Sequence, residues 1–78
     1  MADDDKDIPL TDVQGSSAVS AHGYDAGRQI LRVRFHNGGI HEYEGVSPEK
    51  YAAFTGAASV GTFLNKKIRP HHQGRKVG

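Results

Sequence analysis

Apolar residues recur along this chain with two different periods. From Gln29 to His36 they alternate, with Leu31, Val33 and Phe35 on one side of an extended run and Ile30, Arg32, Arg34 and His36 on the other. That is the two-residue period of a strand with one buried face. Ile40 to Glu44 continues the alternation, and Asn37-Gly38-Gly39 between the runs is a reversal signal. Upstream, Ser17 to Tyr24 reads as a weaker strand in which Val19 and Ala21 share a face opposite Ala18, Ser20 and His22. Asp25-Ala26-Gly27-Arg28 follows as a turn, with Gly27 expected to take the positive φ. Beyond Gly45 the period lengthens to that of a helix. Ser47 is a good N-cap, Pro48 suits the first helical position, Glu49 favours the positive end of the dipole, and Val46 can close onto Tyr51. Tyr51 and Phe54 supply the buried stripe until Gly56 ends the helix. A second helix starts near Ser59, where Val60, Phe63, Leu64 and Ile68 recur at helical spacing, and Pro70 stops it. The pattern predicts an α+β fold: a three-stranded antiparallel β-meander followed by two short helices packed on the face of Leu31, Val33 and Phe35, with Phe35 and Phe63 in the core.

Charge constrains the register of the central hairpin. A two-residue loop at Asn37-Gly38 sets Glu42 opposite Val33 and Glu44 opposite Leu31, which places two carboxylates on the apolar face at high cost. A three-residue loop with a left-handed Gly39 instead pairs Val33 with Tyr43, Arg34 with Glu42 and Arg32 with Glu44. The expected register is therefore the second, with two ion pairs outside and the rings inside.

Composition narrows the classes that remain. At 78 residues the chain holds one small core at most, and a hydrophobic content of 36% leaves part of it outside any core. The absence of cysteine excludes a disulfide framework, a thiolate metal site and a cysteine nucleophile, and in so small a chain it points to the cytoplasm. No apolar run approaches the length of a membrane span. The charges are segregated: Met1 to Asp12 carries five aspartates and one lysine, Val13 to Asn65 four cations and four acids, and Lys66 to Gly78 five cations and no acid. Blocks of like charge are usually solvated arms, so the chain divides into a disordered acidic tail over 1–15, a β-β-β-α-α domain over 16–70 and a flexible basic tail over 71–78. Ala2-Asp3-Asp4-Asp5-Lys6 also resembles a truncated protease-cleavage tag.

Ser16-Ser17, Gly23-Tyr24-Asp25, Leu31-x-Val33-x-Phe35-x-Asn37-Gly38, His41-x-Tyr43, Val46, Ala58-Ser59-x-Gly61, Phe63-x-Asn65 and Ile68-Arg69 come one after another in an order that resembles the KTSC domain. That domain occurs at the C-terminus of some lysyl-tRNA synthetases and as a free-standing small protein of bacteria and phages. The resemblance covers about Ser16 to Pro70 and implies the fold above; RNA binding is the usual suggestion for the family, whose activity is not established. The family's central motif is Tyr-x-Tyr, and here its first position is His41. Such a substitution halves the stacking area of an aromatic platform and makes it sensitive to pH.

Each candidate site has a functional and a structural reading. Ser59-x-Gly61 is either an anion-binding helix start or a cap beside a glycine that permits close packing, and the second is favoured. Tyr43 either stacks a base or belongs to the core, and the register favours the core. Of the five histidines, His36, His41, His71 and His72 lack a recognised metal-ligand spacing, and Ser17 and Ser59 lack an oriented histidine base, so neither a metal, a cofactor nor an enzyme is expected. The favoured reading is a small non-enzymatic, monomeric module that binds RNA (tRNA or another structured RNA) through a basic strip of Lys66, Lys67, Arg69, Arg75 and Lys76, with Arg34 and His36 assisting. The competing reading is a protein-interaction module that uses an open sheet face or an edge strand. A pI near 8.1 is modest for a dedicated nucleic-acid binder.

Overall fold

The computed structural model of the protein describes residues 8–13 and 15–78, so the string read as a cleavage-tag remnant lies outside the described residues. The elements run β1 (Thr11–Asp12), β2 (Val19–Asp25), β3 (Ile30–Phe35), β4 (Ile40–Tyr43), α1 (Pro48–Thr55), α2 (Val60–Phe63) continuing as a π-helical turn (Leu64–Ile68), and β5 (Gly74–Lys76). They form an α+β fold with one antiparallel sheet in the order β1-β2-β3-β4-β5. The sheet has five strands rather than three. The two additions come from segments whose charge marked them as arms: Thr11–Asp12 pairs with His22 and Ala21, and Gly74–Lys76 pairs with Tyr43, Glu42 and His41.

The capping signals act as their chemistry requires. The Ser47 hydroxyl accepts from the Lys50 amide at 3.1 Å, and Ser59 caps α2 by accepting from the Thr62 amide at 3.3 Å. A Cβ on Gly61 would lie 3.2 Å from the Ala18 Cβ, so Ser59-x-Gly61 does serve as a cap and a close approach. Leu31 and Val33 meet Val46, Phe54, Val60, Leu64 and Ile68 in the main core. Phe54 is its largest fully buried side chain, whereas Phe35 and Phe63, expected inside, are only partly buried against it. Phe35 stands at the end of β3 and meets the His41 ring, and Phe63 stands at the end of α2 against the Phe54 ring.

The hairpin has the expected loop length at a different place. The loop is His36-Asn37-Gly38, with Gly38 at φ +93° and its amide donating to the Phe35 carbonyl, so Gly38 rather than Gly39 is the left-handed residue. The pairing becomes Leu31 with Tyr43, Arg32 with Glu42, Val33 with His41 and Arg34 with Ile40. This is a shift of two residues, so every side chain keeps its face while every partner changes. The preceding turn departs likewise: Gln29 at φ +56°, not Gly27, takes the left-handed conformation. An irregularity between Val19 and Ala21 in β2 puts Val19 opposite Phe35 and Ala21 opposite Arg34, on opposite faces rather than a shared one. His22 and Tyr24 consequently face α1, where His22 Nδ1 lies 3.0 Å from the Tyr51 hydroxyl and the Tyr24 and Tyr51 rings stack at 4.5 Å.

The other face is not open. A Cβ on Gly23 would lie 2.0 Å from the Pro9 carbonyl oxygen, so the chain ahead of β1 crosses directly over β2, and Ile8 is buried there. Beside it Glu42 is 1% exposed. One of its oxygens accepts from Arg32 Nε at 2.9 Å and Nη2 at 2.5 Å, and the other from Arg75 Nη2 at 3.1 Å. The expected pairs Arg34–Glu42 and Arg32–Glu44 are replaced by this buried one, and Arg34 turns to Ser20 Oγ at 3.0 Å and Asp12 at 3.3 Å.

The buried pair and His22 each set an expectation for stability. Glu42→Ala strands the Arg32 guanidinium without its carboxylate and should cost about 3–5 kcal/mol in urea denaturation, whereas the double replacement Arg32→Met with Glu42→Leu should be neutral or stabilising. Burial holds the His22 imidazole below its ordinary value of 6.5. Below that pH the unfolded chain takes up a proton that the folded chain resists, so stability is full above it and declines as pH falls through the lowered folded value. Thermal melts across this range should show the decline, and His22→Phe should flatten it.

Candidate nucleic-acid interface

On the helix-bearing face, a cleft of about 450 Å3 opens between the π-helical turn and the end of β4–β5. Its β-side wall is Phe35, Asn37, His41 and Tyr43, its far wall is Arg69 and His72, and Gly74 closes one side. Two features of the backbone create it. The π-helical turn carries one residue more than an α-helix allows, closing with the Arg69 amide donating to the Leu64 carbonyl at 2.8 Å. One added residue rotates the downstream chain by about 100° around the axis. The second feature is the C-terminal strand. Gly74 lies so close to the Tyr43 ring that a Cβ would meet Cε1 at 2.7 Å.

Among the described residues the cleft is lined by donors and rings, with no carboxylate. Arg69 is exposed and steadied by Asn65, whose Oδ1 accepts from Nη1 at 3.0 Å. Tyr43 is 5% exposed; burial raises its hydroxyl above the ordinary tyrosine range, with the Arg69 charge pulling it back. Asn37 spends its oxygen on the Gly39 amide at 2.8 Å. His72 has both nitrogens engaged: Nδ1 lies 2.9 Å from the Glu44 carbonyl and Nε2 lies 3.1 Å from the Lys50 ammonium. A carbonyl only accepts and an ammonium only donates, so these partners assign the neutral Nδ1–H tautomer. His41 stands edge-on to Phe35 at 5.3 Å, and its Nδ1 is buried without a hydrogen-bond partner.

The residues proposed from sequence do not form one strip. Lys66 and Lys67 are exposed on the same turn that delivers Arg69, and Lys76 is exposed opposite His41 on the β5 edge. Arg34 and Arg75 lie on the opposite face, held by Asp12 and Glu42 respectively. His36 is structural: its Nε2 lies 2.8 Å from the Ser16 carbonyl, strapping the start of β2 to the hairpin. Asn37 and Gly74 were not among the residues proposed from sequence, and His72 was weighed there only as a metal ligand. His72 sat in the basic run, but a docked C-terminal strand was needed to bring it beside β4. A second cleft of about 340 Å3 holds Ser17, Ser59 and His22, and among the described residues neither serine hydrogen-bonds a histidine.

Comparison with known proteins adds a family. The KTSC domain model matches residues 15–72. This chain belongs to the KTSC domain family. The KTSC domain protein of Yersinia pestis, known from a crystal structure, superposes with a TM-score of 0.85 at 30% identity, covering 91% of this chain and 99% of that one. An uncharacterized protein of Stutzerimonas stutzeri is 40% identical over 57 residues, 73% of this chain and 80% of its own length. A protein of Tsukamurella paurometabola is 42% identical over 55 residues, 70% of this chain and 82% of its own length. The KTSC match spans both walls of the cleft up to His72 and stops short of Gly74.

Gly74→Ala tests how tightly the last strand is seated. Because Tyr43 is buried and has no room to swing, β5 should lift, costing about 1–3 kcal/mol and speeding hydrogen exchange at the Val77 and Gly78 amides, both of which donate to the Ile40 carbonyl.

Proposed function

We propose that this KTSC protein is a small RNA-binding module whose contact surface is the helix-side cleft and the cations around it. The observation that carries this reading is the cleft itself, where an arginine, two histidines and two aromatic rings converge without a carboxylate among the described residues. Lys66, Lys67 and Lys76 make no side-chain ion pair among the described residues. Cations without partners meet phosphates at little cost, and rings at a cleft wall suit unstacked bases, the features by which single-stranded and looped RNA is recognised. The opposite face, where Arg32, Arg34 and Arg75 are matched by Glu42 and Asp12, offers phosphate much less. The same geometry narrows the sequence-based proposal: Lys66, Lys67, Arg69 and Lys76 are kept, while Arg34, His36 and Arg75 are assigned to structure.

Fluorescence anisotropy with tRNA and with a short single-stranded RNA, at about 50 and 200 mM salt, tests the proposal. Affinity should fall steeply with salt. Lys66→Gln with Lys67→Gln should weaken binding and lower the salt slope by about 1 for each phosphate no longer neutralised, leaving the melting temperature unchanged. No binding at the lower salt would overturn the reading, as would affinity indifferent to salt. The exposed β5 edge would then mark the protein as an acceptor for a partner strand.

A further inference from the structure

The hydrogen-bonding capacity of the cleft is more specific than its charge. Among the described residues His41 has no hydrogen-bond partner at either nitrogen, and Nδ1 alone of the two is sealed from solvent. A buried N–H without an acceptor is the costlier orphan, so the proton belongs on the accessible nitrogen, and His41 offers Nε2–H at the cleft. Among the described residues the Tyr43 hydroxyl also lacks a partner, and it is not sealed from solvent. The Asn37 amide nitrogen is uncommitted, because only its oxygen is used within the hairpin loop. Arg69 spends one nitrogen on Asn65 and keeps the rest of its guanidinium. His72 has nothing to donate, since both its nitrogens are engaged, and it contributes a ring wall. Among the described residues the cleft thus presents four groups able to donate, one of them a full positive charge, and no carboxylate. That set is complementary to an oxyanion. A phosphate alone leaves most of about 450 Å3 empty, and the rest of the wall is ring surface from Phe35, Tyr43 and His72. A volume in the range of small-molecule sites with such a lining fits a phosphate carrying a flat organic group.

We propose that the cleft is a single-nucleotide pocket: Arg69, His41 Nε2–H and the Tyr43 hydroxyl take one phosphate, and the ring wall takes the attached nucleoside. This rests on the RNA reading and deepens it, for the pocket would hold one unstacked nucleotide of the strand while Lys66, Lys67 and Lys76 meet its neighbours. Asn65 is a positioning residue, acting through Arg69.

Side-chain and amide NMR of the full chain, titrated separately with inorganic phosphate, a nucleoside, the corresponding nucleoside 5′-monophosphate and short single-stranded RNA, tests the pocket. The monophosphate should shift the Arg69 Nε and His41 ring signals, compete with RNA, and bind at least about tenfold more tightly than phosphate or nucleoside alone, a gap of about 1.4 kcal/mol. Arg69→Gln and Tyr43→Phe, which keep an exposed polar chain and a buried ring respectively, should each weaken the monophosphate several-fold with unchanged melting. Asn65→Ala should do the same more weakly, with the Arg69 Nε signal broadened in the free protein. RNA binding without any shift at Arg69, His41 or Tyr43 would overturn the pocket and leave the RNA reading standing. Monophosphate binding without RNA binding would leave the pocket and overturn the RNA reading. Phosphate binding as tightly as the monophosphate would overturn the nucleoside half, and silence from all four probes would overturn both.

Discussion

A carboxylate removed from water loses several kcal/mol of hydration that a single partner seldom restores in full. Glu42, 1% exposed, is met at both oxygens, by Arg32 from β3 and Arg75 from β5. The two guanidiniums arrive from strands on either side of β4, so one buried anion fixes the order of three strands. Its consequences reach the other face of the sheet. Arg75 adds a side-chain tie to the backbone ladder that docks the C-terminal segment on β4; that segment brings Gly74 against the Tyr43 ring and Lys76 opposite His41. The cleft's closed side and one of its flanking cations are therefore braced by an ion pair on the face opposite the cleft.

The same pair explains what was legible in the sequence. Alternation in Ile30–Phe35 and Ile40–Tyr43 revealed the faces, because a period of two survives any even shift of register. Partners were not legible. Counting acids against bases gave Arg34–Glu42 and Arg32–Glu44 on a solvated surface, and nothing local could announce that Ile8–Pro9 and β5 would bury that surface and reward a single compact pair. Cations in Lys66–Lys76 read as an arm because they lack acids nearby in sequence; Glu42 lies 33 residues upstream of Arg75. The helices were readable for the opposite reason. Ser47, Pro48, Glu49 and Ser59 are local signals whose partners sit within a turn. The extra residue of the π-helical turn has no such mark in Leu64–Ile68, where buried Leu64 and Ile68 are spaced as in an ordinary helix.

That extra residue links packing to chemistry. Leu64 and Ile68 keep their places in the core, so the accommodation falls on the chain beyond Ile68. It leaves Arg69 at the cleft, within reach of the Tyr43 hydroxyl's electrostatics, while the chain continues through His72 into β5. His72 is held by the Glu44 carbonyl and by Lys50 of α1, so the far wall is tied both to the strand it faces and to the helix behind it. A cleft with two walls braced in this way requires little ordering when a ligand enters, which is the economy a domain of this size needs.

His41 is where stability and chemistry oppose each other most directly. Its ring packs on Phe35 and could be replaced there by a phenyl ring that leaves no buried nitrogen without a partner; an unmet buried acceptor costs on the order of 1 kcal/mol or more. A domain of under eighty residues, with a total stability of roughly 0.05–0.15 kcal/mol per residue, has little margin for such a cost. The penalty attaches to one nitrogen and the accessible donor to the other, and the imidazole cannot offer the second without carrying the first. Tyrosine, the residue the family motif places here, carries its polar atom at the far end of the ring and has no counterpart to the sealed Nδ1. His41 therefore sets the donor closer to the sheet than a hydroxyl would stand, leaving more depth in the cleft above it. The cost at Nδ1 and the room above Nε2 have the same origin, the shorter ring on β4.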